Sequence, residues 1–107
     1  MRAPRPLAQF IAARGWLRRF NKIKALNRRG TSYGLKHCAQ DDIGYVTNGC
    51  FIAAAIAEGF TVRRSQPDSP NALFNISIEA WRYVEWNRAE QRRRARIERW
   101  GEANGAP

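Results

Sequence analysis

The sequence predicts an α+β fold in which three helices, a β-hairpin and a long C-terminal helix follow one another along 107 residues. Three observations carry that prediction. Apolar residues recur at helical spacing from Leu7 to Phe60, punctuated by Gly30, Gly44 and Gly59. Beyond Gly59 the period changes to two on either side of the turn-rich segment QPDSPN. A helical pattern returns at Ile78 and dissolves into arginines from Arg88 onward.

The opening MRAPRP reads as an extended arm, because its two prolines disfavour helix before them. From Leu7 the spacing predicts a helix that runs to near Gly30. Phe10, Trp16, Leu17, Phe20 and Ile23 cluster on one face, and Arg14, Arg18, Lys22 and Arg28 lie on or near the other. Gly15 inside this stretch costs about 1 kcal/mol relative to alanine, so a kink or break is allowed there. A basic amphipathic helix can lie on a membrane, but docking of its apolar face on the core is the favoured use.

Thr31 and Ser32 offer an N-cap for a second helix over Tyr33 to Gln40, which Asp41, Asp42 and Gly44 should end. The third helix is the clearest in the chain. Thr47 can cap its start, and Gly59 supplies the left-handed residue that closes a helix. Between them Phe51, Ile52, Ala55 and Ile56 share one side, and the small Cys50, Ala53, Ala54 and Ala57 cover the other. It should be buried, with neighbours against both sides.

Phe60, Val62 and Arg64 alternate with Thr61, Arg63 and Ser65 in the first predicted strand. Ala72, Phe74 and Ile76 alternate with Leu73, Asn75 and Ser77 in the second. A hairpin of this size is not stable alone and must pack on the helices. Ser77 should cap the last helix, with Glu79 near its positive end and Ile78, Trp81 and Trp86 forming a docking face. After Arg88 the arginines point all round the axis, so this part should project or lie along a partner, and GEANGAP should fray. The order of elements suggests a small winged-helix-like domain spanning 1–107. It comprises a basic amphipathic helical arm over 1–30, a core over 31–83 and an Arg-rich helical tail over 84–107.

The chain carries 19 Lys and Arg against 9 Asp and Glu, for a net charge of +10. Its first forty residues hold ten of the basic side chains and no acid, and the remaining nine basic and nine acidic residues cancel. Such an excess favours a polyanion through long-range attraction and counterion release. Two cysteines, Cys38 and Cys50, are too few for a disulfide scaffold, which points to a reduced cytoplasmic setting. No apolar run is long enough for a membrane span. The Arg-rich, acid-free N-terminus resembles an organellar transit sequence but lacks its serine enrichment.

No catalytic constellation stands out. His37, Cys38 and Cys50 are three ligand types without the paired spacing of a zinc site, and His37 has no serine, carboxylate or second histidine placed to make a dyad. There is no glycine-rich phosphate loop, and no metal or cofactor is expected. The third helix would expose Asn48, then alanines, then Glu58, which lacks the long polar side chains that read bases. Nucleic-acid contacts are therefore expected from Arg14, Arg18, Arg19, Lys22, Arg28 and Arg29 in the N-terminal segment. Arg63 and Arg64 on the hairpin and Arg92, Arg93, Arg94 and Arg96 in the tail complete the set. Glu85 with Arg88, and Glu90 with Arg94, are spaced to pair among themselves. Trp81 and Trp86 are expected in the core for their apolar area. Trp100, three residues after Ile97, is expected beyond the body as an anchor for a partner or a second copy.

The run TSYGLKHCAQDDIGYVTNGCFIAAAIAEGF, followed by NALFNIS, resembles short uncharacterised proteins carried by phages and integrating elements. The matching residues are Ser32, Tyr33, Leu35, Lys36, His37, Gly44, Tyr45, Val46, Asn48, Gly49, Phe51, Ile52, Phe74, Asn75 and Ile76, within about half of the chain. The resemblance implies an accessory, host-facing setting in a bacterium or its virus and carries no activity with it.

The expectation is a non-enzymatic nucleic-acid-binding accessory protein of a phage or mobile element, with phosphate contacts dominating and the two arginine-rich flanks acting together. The rival is a protein-binding inhibitor or modulator of a host defence or transcription complex, using Tyr33, Lys36, His37 and Trp100.

Overall fold

The first helix, α1 (Pro6–Leu17), starts with proline at its first turn, where no amide hydrogen is needed. In the computed structural model, which describes residues 4–103, it passes straight through Gly15 and stops at Leu17, well short of Gly30. Arg2 and the end of the GEANGAP segment lie outside the described residues. The helix ends because the following backbone is claimed elsewhere. Ile23 N–H donates to the Asn75 carbonyl and Asn27 N–H to the Phe74 carbonyl, each at 2.8 Å, while Ser77 N–H donates to the Asn21 carbonyl at 2.9 Å. Lys22 and Ile76 face each other in a single antiparallel bridge. The segment thus runs as an irregular third strand beside the hairpin, and its amides are satisfied there instead of by a helix.

The second helix, α2 (Ser32–Ile43), includes Asp41 and Asp42, which were expected to end it. Gly44 does so, with φ 83°. Thr31 occupies the N-cap position without a side-chain bond, and the neighbouring Ser32 is committed to a longer-range joint. Ser32 is fully buried, donates from Oγ to Asn48 Oδ1 at 2.9 Å and accepts from Ala72 N–H at 3.1 Å.

The third helix, α3 (Asn48–Ala57), has the stops its sequence predicts. Thr47 Oγ1 accepts from Cys50 N–H at 3.1 Å. At the other end Gly59 takes φ 86°, with Phe60 N–H bonded to the Ala55 carbonyl and Gly59 N–H to the Ile56 carbonyl. This is the paired closure that a left-handed glycine allows. Pro6 lies beside Cys50, and Arg14 and Arg18 lie beside Glu58, so α1 runs along α3 in the same direction. Phe51, Ala54 and Ala55 are buried between α1, α2 and the hairpin. Ile56, expected inside, is 59% exposed with Ala53 and Ala57 on the outer side.

Strands β1 (Val62–Arg64) and β2 (Ala72–Phe74) pair antiparallel, with Val62 opposite Phe74 and Arg64 opposite Ala72. They are shorter than the alternating runs suggest, and β2 is buried on both faces where alternation predicted one. Asn75 and Ser77, just beyond β2 where the 18–31 segment pairs along its edge, are buried too. Asn75 is satisfied: its Oδ1 accepts from Thr61 N–H and its Nδ2 donates to the Ile23 carbonyl.

The last helix, α4 (Ile78–Ala103), has 26 residues and is therefore about 39 Å long. Ala80, Trp81 and Val84 pack against α2, but from Gln91 to Trp100 every residue is exposed. Two expectations fail here. Among the described residues Ser77 Oγ has no hydrogen-bond partner, and it does not cap the helix. Trp86 is 62% exposed, because at 100° per residue it stands 140° from Trp81 and faces away from α2.

Candidate nucleic-acid interface

The N-terminal arginines are mostly held by carboxylates from distant parts of the chain. Glu58, at the end of α3, accepts from Arg14 Nε at 2.8 Å and from Arg18 Nε, and its side chain is only 10% exposed. Hydrogen bonds from Arg18 and Arg14 hold the Glu58 carboxyl below its ordinary range. Arg19 reaches Asp42 at 3.2 Å, and Arg29 reaches Glu85 at 2.6 Å. Glu85 thus pairs across to the 18–31 segment and not with Arg88. Of the six N-terminal contacts expected, only Lys22 and Arg28 have no ion pair among the described residues. The Lys22 ammonium lies 4.8 Å from the Phe60 ring centroid.

Asp42 is a junction. Its Oδ2 accepts from Trp16 Nε1 at 2.8 Å, from Tyr83 OH at 2.8 Å and from Arg19. Burial pushes this carboxyl up, but the bonds from Trp16, Tyr83 and Arg19 outweigh it and hold the group below its ordinary value. The same bond to Asp42, with burial, raises the Tyr83 phenol.

The remaining cations sit on the hairpin and on α4. Arg63 and Arg64 are exposed on β1, with Arg64 Nη1 donating to the Pro67 carbonyl at 3.0 Å. On α4, Arg93 pairs with Glu90 at 2.6 Å, and Arg94 approaches the same carboxylate at 3.8 Å, as expected from spacing. Arg92 and Arg96 are exposed and have no ion pair among the described residues. The same holds for Arg82, Arg88 and Arg99, which sequence reasoning left out of the interface. A helical wheel referenced to Trp81 and Val84 would have found Arg82, because it falls on the side of α4 opposite the docking face.

That outward side is aromatic as well as basic. Trp86 and Trp100 lie on it at 62% and 66% exposure, with Ile97 at 63% and Arg93 between them. Tyr83 approaches Trp86 with ring centroids 6.4 Å apart and continues the contact inward to Phe20 and Trp16.

Of the residues expected to meet a protein partner, Tyr33 and His37 line the α2–α4 seam and Lys36 lies beside Tyr33. Two adjoining hollows of about 310 and 320 Å³ share Tyr33, Gly34, Val84 and Arg88. The Tyr33 ring meets His37 edge-on at 4.3 Å, and the Lys36 ammonium stands 5.3 Å from the Tyr33 centroid. Burial and the charges of Lys36 and Arg88 lower the His37 imidazole, favouring its neutral form. Asp41 closes one end by accepting from Asn87 and Gln91, both at 2.6 Å. Burial pushes the Cys38 thiol up to about 11 and leaves it unreactive at neutral pH. Trp100, on the far part of α4, does not line either hollow. Among the described residues no group of three His, Cys, Asp or Glu side chains gathers as a metal site, and no helix is long and apolar enough to cross a membrane.

No protein-family model matches this chain, and neither a curated protein nor a solved structure matches it.

Proposed function

We propose that this protein is a non-enzymatic nucleic-acid-binding accessory factor of a phage or mobile element, and that it meets its ligand chiefly through phosphate contacts along α4. One observation carries the reading: Arg92, Arg93, Arg94, Arg96 and Arg99 crowd a stretch of α4 that is exposed on every side and contains a single acid, Glu98. A bare helix of about three turns has little stability of its own. Here the docked half of α4 extends it into solvent, where its charge repels itself unless a polyanion neutralises it. Lys22, Lys24, Arg28, Arg63 and Arg64 add positive charge from the body. A winged-helix-like mode is proposed from element order alone, with the hairpin as a backbone contact. In it α3 would not read bases, since Ala53, Ile56 and Ala57 face outward. The phage or mobile-element setting rests on the sequence resemblance.

Binding of the whole chain to a short labelled DNA or RNA should weaken steeply as salt rises, with a slope that counts the neutralised phosphates. Replacing Arg92, Arg96 and Arg99 together with Gln should lower the slope. Absence of binding at low salt, or a flat response, overturns the reading. The protein-binding reading finds its support in the α2–α4 hollows, where Tyr33, His37 and Arg88 line one continuous seam. A host protein retained by the chain after nuclease digestion, and released on Tyr33→Ala, would favour it.

A further inference from the structure

We infer that the outward face of α4 is a stacking platform for single-stranded nucleic acid, with Trp86 and Trp100 as its two supports. This rests on the nucleic-acid reading above and narrows it to a ligand with unpaired bases. The two indoles are fourteen residues apart, about 21 Å along the helix, and fall within 40° of each other around it. Both are more than three-fifths exposed. Arg93 stands midway between them, and Arg82 and Arg96 flank the stripe on the same side.

The geometry separates ligands. A duplex covers the faces of its bases, so it can satisfy the arginines but offers the indoles no ring to stack on. An extended single strand presents both faces of each base and a phosphate between neighbours, which matches a face that alternates ring and guanidinium. A second copy of this chain fits less well. Two-fold pairing of the stripes would bring Arg93 against its own symmetry mate and place both arginine-rich segments side by side. Glu90 on the same helix already holds Arg93, but an exposed pair of this kind is weak and yields to a phosphate.

The test uses the full chain with a short oligothymidylate and a duplex of equal length. The intact protein should prefer the single strand, and binding should quench its tryptophan fluorescence. Trp86→Ala with Trp100→Ala should weaken the single strand by about five- to a hundredfold per ring and the duplex by no more than about twofold. Arg92→Gln with Arg96→Gln should weaken both ligands and lower the single-strand salt slope by about 0.7 for each phosphate no longer neutralised. Circular dichroism and a denaturation midpoint for each variant separate these effects from unfolding, which the exposure of the stripe does not predict. Equal affinity for the two ligands, or a tryptophan double variant that binds the single strand as before, overturns the platform while leaving phosphate binding intact. A double variant whose main change is loss of self-association in sedimentation also overturns it, in favour of a second copy. No binding of either ligand by the intact chain overturns the nucleic-acid reading itself.

Discussion

Trp16 Nε1 donates to Asp42 Oδ2 across 2.8 Å, and this bond ties α1 to the last turn of α2. Trp16 is 2% exposed, so its indole N–H has no water to fall back on. Tyr83 and Arg19 share the same oxygen and extend the joint to α4 and to the segment after α1. Asp42→Ala should therefore cost about 1–3 kcal/mol, the usual penalty for stranding a buried donor. Urea denaturation measures it, and a change below about 0.5 kcal/mol would show that the joint is dispensable.

Acid should weaken the fold through the same carboxylates. Asp42 and Glu58 both titrate below their ordinary values in the folded chain, whereas unfolding returns them to about 3.9 and 4.3. Their contribution is complete above that range and is lost as pH falls through the lower folded values. His37, also lowered, adds a smaller decline that begins below about 6.5. The denaturation midpoint should accordingly drift down below neutrality and drop faster under about pH 4. Asp42→Asn should flatten part of the steep stage. A midpoint that climbs on acidification contradicts this assignment.

At alkaline pH the sign comes from Cys38. Its folded thiol titrates at about 11, above its ordinary value, so the unfolded chain loses the proton first and stability falls as pH rises toward that figure. Cys38→Ala should remove this part of the alkaline decline, and a midpoint series between neutral and strongly alkaline pH tests it.

Two glycines should respond in opposite directions to alanine. At Gly30 a Cβ would stand 2.5 Å from Trp81 Cη2 and 2.8 Å from Cζ3, both within a ring that is itself buried. Gly30→Ala must displace that ring and should destabilise by about 1–3 kcal/mol. Gly15 lies inside α1 with no atom beyond its chain neighbours and its own helix backbone within 4 Å of the added Cβ, so Gly15→Ala should stabilise by about 0.5–1 kcal/mol. Thermal midpoints moving in the same direction for the two variants would refute the pairing.

What the sequence made legible is what local chemistry decides. Thr47 and Gly59 bound α3 as their residue types predict, and Trp81 is buried. The end of α1 was illegible. Phe20 and Ile23 continue the helical period, and only the distant Phe74 to Ser77 segment, which takes the backbone bonds of Asn21, Ile23 and Asn27, makes a helix there unfavourable. The arginine partners were hidden for the same reason, since Glu58 is 44 residues from Arg14 and 40 from Arg18. Trp86 is a different case. Its angle of 140° from Trp81 is readable from the spacing and places it on the outer side of α4, against the general preference of tryptophan for burial. In the Ser32–Ile76 region, Ser32, Asn48 and Asn75 prove to be joints. They link α2, α3, the hairpin and the 18–31 segment through buried or half-buried hydrogen bonds.

The division between held and exposed arginines gives the last prediction. Arg14 and Arg18 converge on Glu58, so replacing both with Gln removes three hydrogen bonds to a carboxylate that is 10% exposed and leaves it without its cations. That change should lower stability while altering nucleic-acid affinity little beyond the general loss of charge. Arg92 and Arg96 have no such partner among the described residues, and their replacement by Gln relieves repulsion along α4. That variant should be as stable as the parent, or more so, and should bind a labelled oligonucleotide less well with a smaller salt slope. Comparing the two double variants, which remove equal charge, separates local contact from bulk electrostatics. If Arg14→Gln with Arg18→Gln reduces binding as much as Arg92→Gln with Arg96→Gln, net charge alone governs the interaction and α4 has no special place in it.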